Sequence, residues 1–194
     1  MRELVEAFFR ERSIVNHHIA SFNDFLPTID NPSSRMQRIV DNMRYSPEDD
    51  RRGIFKLDED RTEGDMIEIR IGRKRDDRSR VDIDAKPTIS VGTPIVKEAN
   101  GATHPLTPME ARLRNLNYTA PIYLDFTVIE NGIEREPERV HIGNLPVMGK
   151  SKKCALHREN LEIDGELTEA EYRLKLIEMG EDQVDPGGYL IIGG

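Results

Sequence analysis

The sequence predicts an α+β fold in which amino-terminal helices pack on a mostly antiparallel sheet. Three observations predict it. Apolar residues recur at helical spacing up to Met43, later stretches alternate with a period of two, and capping boxes open helices at Thr107 and Thr168.

The helices come first. Leu4, Val5, Phe8 and Phe9 recur at i, i+4 spacing. Val15, Ile19, Phe22 and Leu26 then make one face of a second helix, with Ser13 as its N-cap and Pro27 ending it. After Asn31-Pro32-Ser33, Met36, Ile39, Val40 and Met43 predict a third helix, closed at Ser46-Pro47.

The period then changes. Ile67, Ile69 and Ile71 alternate with Glu68 and Arg70, as in a half-buried strand. Arg73–Arg80 reads as a hairpin connection, with Val81 and Ile83 alternating with Asp82 and Asp84 on the return. Short strands follow at 88–91 and 94–97, and Asn100-Gly101 is a turn dipeptide. Thr107 can cap the amide of Glu110, and Pro108 sits where its missing N–H costs nothing, so a helix is predicted over 108–116. Ile122, Leu124, Phe126 and Val128 alternate along a strand, Asn131-Gly132 turns it, and 138–142 returns towards Val147. Thr168 and Glu171 open a helix that Gly180 closes. Asp185-Pro186-Gly187-Gly188 is a turn into a strand at 189–192. The sequence stops inside that predicted strand, on Gly193-Gly194, so it is expected to be a piece of a longer chain.

Composition narrows the class. In 194 residues, 37% are hydrophobic and 33% charged, enough for a packed core under a highly charged surface. No apolar run is long enough to span a bilayer, and the start has no secretory-signal pattern. The single Cys154 has no partner for an internal disulfide. A soluble, cytoplasmic protein with no membrane association is expected. The net charge of −8 argues against a free-standing nucleic-acid binder. The charge is uneven, however: Arg70, Arg73, Lys74, Arg75, Arg78 and Arg80 are clustered, and 159–185 is mainly acidic. The basic run reads either as a local anion-binding surface or as a solvated hairpin tip.

The search for chemistry finds no phosphate-binding glycine motif and no nucleophile elbow. His17 and His18 are adjacent on a helix and point apart, and Cys154-x-x-His157 is half a zinc motif with no second half. Asp82 and Asp84 share one side of a strand, where a solvated face explains them better than a magnesium site without a phosphate cradle. No catalytic residue and no metal ligand set is expected. The residues describe a binding or structural module.

Four stretches carry a more specific signal. LTPMEARLRNL, from Leu106 to Leu116, with NYTAPIYL after it, resembles the LTPxEARLRNLxYxxPI signature of archaeal and eukaryotic second-largest RNA polymerase subunits. His141 to Met148 with Ser151, Lys152 and Cys154 is similar to that family's IGxLPxMxxSxxC stretch. Asp185 to Ile192 resembles the start of its GGYFIINGxE segment, and Ile19 to Phe25 its SFNxF helix. The context of the first motif favours the archaeal form, in which the subunit is sometimes split into two chains. Gly149-Lys150 departs from the family pattern of a bulkier residue before Arg or Lys, and Gly193-Gly194 stands where Asn-Gly is common.

The resemblance implies that 1–194 is a protrusion-like module, an α/β wall of the DNA cleft, with the lobe and catalytic regions of the subunit absent. It implies a part of a DNA-directed RNA polymerase, a nucleotidyltransferase, that is inactive alone. Magnesium would belong to the assembled enzyme, held mainly by an aspartate loop of the largest subunit, and this fragment would bind no cofactor. Implied partners are the other polymerase subunits, the DNA template and general transcription factors. Beside this, Lys150, Lys152 and Lys153 are the candidate DNA-binding residues, since a loop cluster of ammonium groups can neutralise phosphates without reading sequence. Solubilising loop lysines are the other reading of the same cluster. One of Arg112 and Arg114 is expected to pair with a carboxylate such as Glu110. A stand-alone domain that binds a transcription factor is the alternative function.

Overall fold

The computed structural model describes residues 13–43, 54–57, 67–71, 87–161 and 167–194, with Val5 and Phe8. Its helices are α1 (Asn16–Phe25), α2 (Arg35–Asp41), α3 (Pro108–Leu113), α4 (Arg158–Leu161) and α5 (Glu169–Glu178). The strands are β1 (Ile54–Leu57), β2 (Ile67–Ile71), β3 (Ile89–Val91), β4 (Ile95–Lys97), β5 (Thr103–Pro105), β6 (Thr119–Glu130), β7 (Ile133–Glu134) and β8 (Glu138–Pro146). The expected α+β class holds: β1 with β2, β2, β3 and β7 with β6, and β4 with β5 all pair antiparallel. The predicted turn at Ser46-Pro47, the Arg73–Arg80 connection and the Val81–Asp84 return strand lie outside the described residues.

The chain forms two compact units. One comprises Asp24–Val91 and Ile122–Gly143; the other comprises Met1–Asn23, Gly92–Pro121 and Asn144–Gly194.

In the first unit the sheet runs β1-β2-β6-β3, with β7 and β8 also pairing with β6. Ile69 lies opposite Val128 and Ile89 opposite Leu124, so the predicted alternations meet in register. Asn131 and Gly132 both have positive φ, 50° and 81°, as a tight hairpin of this hand requires. Strand β1 was not expected: Phe55 is its only aromatic residue, and charged positions flank it closely.

Helix α2 opens on Ser34, whose Oγ accepts from the Gln37 amide at 3.2 Å. Its buried residues are Met36, Gln37, Val40 and Asp41. The expected inward face had Ile39 and Met43 instead; they are 60% and 41% exposed. The reason is polar. Gln37 Oε1 accepts from the amides of Thr88 and Ile89 at 2.9 and 3.2 Å, while its Nε2 donates to Asp41 Oδ1 and Thr88 Oγ1, each at 2.8 Å. A buried amide with its hydrogen bonds made is stable inside, and it turns the helix to suit.

In the second unit, β4 and β5 form a hairpin closed at Gly101 (φ 85°). Thr107 accepts from the Glu110 amide at 3.3 Å and starts α3 as predicted. The helix ends at Leu113, three residues before the predicted limit, because Asn115 takes a left-handed conformation (φ 53°) and Leu116 donates back to the Ala111 carbonyl at 2.8 Å. Both halves of the Thr168–Glu171 capping box are made. Gly180 (φ 75°) closes α5, and Glu181 donates to the Leu176 carbonyl at 2.8 Å. Leu106, Ala111, Tyr118, Ala120, Val147, Cys154, Leu156, Leu176 and Ile191 are buried and form this unit's core.

The stretch 189–192 is not a strand. Its carbonyls serve two different segments: the Gly149 amide donates to Tyr189 at 2.9 Å and the Tyr118 amide to Ile191 at 3.0 Å. With its partners split, no continuous ladder can form.

Candidate nucleic-acid interface

The loop after β8 is wound tightly. The Ser151 amide donates to the Met148 carbonyl at 3.1 Å and the Cys154 amide to Ser151 at 2.8 Å. Lys150 stands at φ 61°, a left-handed conformation uncommon for a residue with a side chain. All three predicted lysines fall on this loop, and all are half-buried.

Each is held differently. Lys150 Nζ donates to the Asp185 carbonyl and lies 5.7 Å from the centre of the Tyr172 ring. The Lys152 amide donates to Asn23 Oδ1 at 2.9 Å, and its carbonyl accepts from Asn160 Nδ2 at 3.0 Å. Burial holds the Lys153 ammonium below the usual lysine range. The loop therefore presents lysines whose backbone is fixed, which favours a contact made without reordering.

The motifs singled out in the sequence meet around this loop. Asn23, from SFNDF, holds Lys152. Tyr118, from the stretch after the first motif, donates its hydroxyl to Cys154 Sγ at 3.3 Å and receives the Ala155 amide at 2.9 Å. Gly149 donates to Tyr189 and accepts from the Gly188 amide at 3.0 Å, joining the second motif to the third. The Tyr189 hydroxyl donates to the Asp185 carboxylate, and the Arg112 guanidinium stacks 4.7 Å from the Tyr189 ring centre. Residues scattered from 23 to 191 thus build one interior. A match across all of them tests the entire unit.

Such a match exists. A family model described as RNA polymerase beta subunit covers residues 13–194. The chain belongs to the RNA polymerase beta-subunit family. It is 37% identical to DNA-directed RNA polymerase subunit Rpo2N of Methanocaldococcus jannaschii, over 100% of this chain and 30% of that protein. It is 34% identical to DNA-directed RNA polymerase subunit Rpo2 of Saccharolobus shibatae, over 99% of this chain and 13% of that one. Against Rpo2N of Halobacterium salinarum the identity is 35%, over 100% of this chain and 30% of the relative. The chain spans under a third of the length of these relatives.

This beta-subunit segment also carries a polar cluster that the sequence did not single out. Glu98, after β4, His104, on β5, and Glu110, on α3, bring their ligand atoms within 4.8 Å of one another. Arg114 already lies against two of them, with Nη1 at 2.7 Å from Glu98 and from Glu110. Of Arg112 and Arg114, one of which is expected to pair with a carboxylate such as Glu110, Arg114 does so, and Glu98 shares it. Magnesium seeks an octahedral shell of oxygen atoms; a group containing an imidazole and a guanidinium does not fit it. Cys154 is fully buried, and burial pushes its thiol upward, away from the thiolate that zinc binding requires. Asp82 and Asp84 lie outside the described residues. No helix among the described residues is long and apolar enough to cross a membrane.

Proposed function

We propose that this chain is the amino-terminal, protrusion-like part of the second-largest subunit of a DNA-directed RNA polymerase, and that it lines the DNA cleft and helps hold the template. The observation that carries the reading is the match to polymerase subunits along the whole chain, while it spans under a third of them. The role is non-catalytic: the piece supplies a rigid wall, and nucleotidyl transfer with its magnesium belongs to other parts of the assembled, cytoplasmic enzyme. Its partners are the other polymerase subunits, the template and general transcription factors.

Within this role, Lys150, Lys152 and Lys153 meet the phosphates. A wall that must accept every template should contact the backbone and not the bases, which ammonium groups do. Their loop is anchored to α1 through Asn23 and to the Asp185–Tyr189 turn through Gly149. The positive charge is therefore set on a fixed surface.

The test uses the assembled polymerase. Replacing all three lysines by glutamine is expected to flatten the dependence of template binding on salt, by about 0.9 in log K per log salt for each phosphate no longer neutralised. A double variant at Lys152 and Lys153 leaves the Lys150–Asp185 bond in place and separates the removal of charge from a loosened turn. An unchanged slope in both variants overturns the assignment.

A further inference from the structure

The lysines of the loop after β8 do not offer their charge on equal terms. The Lys150 ammonium is already engaged: Nζ donates to the Asp185 carbonyl and lies 5.7 Å from the Tyr172 ring centre. To reach a phosphate it must leave that carbonyl. Lys152 is likewise engaged within the chain. Lys153 differs. Its side chain is half-buried, and its ammonium has no hydrogen-bond or ion-pair partner among the described residues. Charges taken out of water are ordinarily paired. A cation held partly out of water with nothing opposite it is complementary to an anion from elsewhere.

One side chain clamps the backbone on both sides of this lysine. Asn160, in α4, donates through Nδ2 to the Lys152 carbonyl at 3.0 Å and to the Cys154 carbonyl at 2.8 Å. An asparagine amide has two N–H groups, and each serves one carbonyl. The Cys154 amide in turn donates to the Ser151 carbonyl at 2.8 Å, and both of those residues are fully buried. The Cα of Lys153 is therefore fixed from either side.

We propose that, of the three lysines, Lys153 makes the dominant phosphate contact, and that Asn160 is the residue that positions it. The inference rests on the template-holding role proposed above. Two effects favour Lys153. Folding has already removed part of the water around its ammonium, so a phosphate displaces less of it and meets the charge where the effective dielectric is lower and the attraction stronger. The clamped backbone also removes part of the ordering cost that a loop lysine incurs on binding. The same desolvation is what holds this ammonium below the usual lysine range, and a phosphate restores the stabilisation that water no longer gives.

The experiment uses the assembled polymerase and the anisotropy of a labelled DNA duplex, titrated over a range of salt. Lys153→Gln is expected to reduce the slope of log K against log salt by about 0.9, the equivalent of one phosphate, and Lys150→Gln to change it less than half as much. Lys153→Arg should restore the slope, because the charge is kept. Asn160→Ala should weaken binding severalfold at an unchanged slope, and that loss should vanish when Lys153 is already glutamine. A triple glutamine variant that keeps the original slope sinks the template-holding role itself. A triple variant that flattens the slope while Lys153→Gln alone does not leaves the role standing and overturns the assignment to Lys153. Gel filtration checks assembly: a Lys153→Gln chain that no longer joins the other subunits would place a subunit carboxylate on this ammonium and overturn the assignment too. A full Asn160→Ala loss that persists beside Lys153→Gln overturns the positioning.

Discussion

The hydroxyl of Tyr118 donates to the sulfur of Cys154 at 3.3 Å, in a place where neither residue is exposed to solvent. The same oxygen accepts the Ala155 amide at 2.9 Å, so one phenol serves two consecutive residues of the loop. Desolvation, reinforced by Cys154, holds the phenol far above the usual tyrosine range, and it stays a neutral donor wherever the protein is folded. A buried Tyr is favoured here because its ring fills the core while its oxygen satisfies the polar groups of the Cys154 loop.

Tyr118→Phe keeps the ring and removes the oxygen. The Ala155 amide is then without its acceptor, and the Cys154 sulfur is left with the Leu156 amide, at 3.4 Å. The expected destabilisation is about 1–3 kcal/mol, mostly from the orphaned amide. Urea unfolding of the two proteins measures it, and an equal midpoint with equal slope would show that the bond contributes nothing. Cys154 gives a second readout. As a buried thiol held neutral, it should react slowly with thiol reagents in the folded chain and faster in the variant, where the turn is looser.

The turn at Gly187 allows a comparison between two glycines with the same backbone and different surroundings. Gly187 and Gly180 share φ 75°. A Cβ at Gly180 meets nothing within 4 Å, whereas one at Gly187 would lie 2.6 Å from the Gly149 carbonyl oxygen and 2.8 Å from Lys150 Cβ. Gly180→Ala should therefore cost only the left-handed strain, about 1 kcal/mol. Gly187→Ala adds a clash with backbone that cannot move aside, and about 2–4 kcal/mol is expected. Thermal unfolding of the pair is the check. Equal destabilisation would mean that the Gly149–Gly188 contact is soft, and that the lysine loop is not anchored by it.

The elements that the sequence made legible are those with short-range causes. Thr107, Thr168 and Gly180 act within one helical turn, and Asn131-Gly132 acts within one hairpin, so local chemistry was enough to place them. The inward face of α2 was missed because its cause is remote: Gln37 goes inside to meet Thr88, 51 positions away. Periodicity counts a glutamine as solvent-facing and cannot see that partner. The stretch 189–192 failed for a related reason. Its alternation is real, but whether it joins a sheet depends on where Tyr118 and Gly149 present their amides. At the lysine loop the sequence supplied the residues and not their engagement; nothing in a run of lysines says that one Nζ is turned onto the Asp185 carbonyl. The Glu98–His104–Glu110 cluster left no motif because its members come from a strand end, a strand and a helix.

That cluster makes a pH-dependent clasp between the β4–β5 hairpin and α3. His104 Nδ1 faces the Pro105 carbonyl at 3.0 Å and Nε2 faces Glu98 Oε1 at 3.2 Å. The carbonyl first, and then the carboxylate, raise the imidazole above its ordinary 6.5. Glu98 moves the other way, lowered from 4.5 by hydrogen bonds from Arg114 and then His104. The signs set the window. A raised histidine stabilises the fold fully below 6.5 and loses that contribution as pH rises through its higher folded value; a lowered glutamate contributes above 4.5 and loses it as pH falls through its lower one. Both act together between those ordinary values. Because the groups are exposed, the effect should be local to the hairpin and not visible in global unfolding. Amide exchange at Glu98, which donates to the Ala102 carbonyl at 2.8 Å, should accordingly be slowest in that window and faster above it. Such exchange is corrected for its intrinsic dependence on pH. In Glu98→Gln the His104 titration, followed by its imidazole proton resonances, should shift downward yet stay above the ordinary value, since the Pro105 carbonyl still faces the ring. An unshifted midpoint would place the clasp in Glu110 alone.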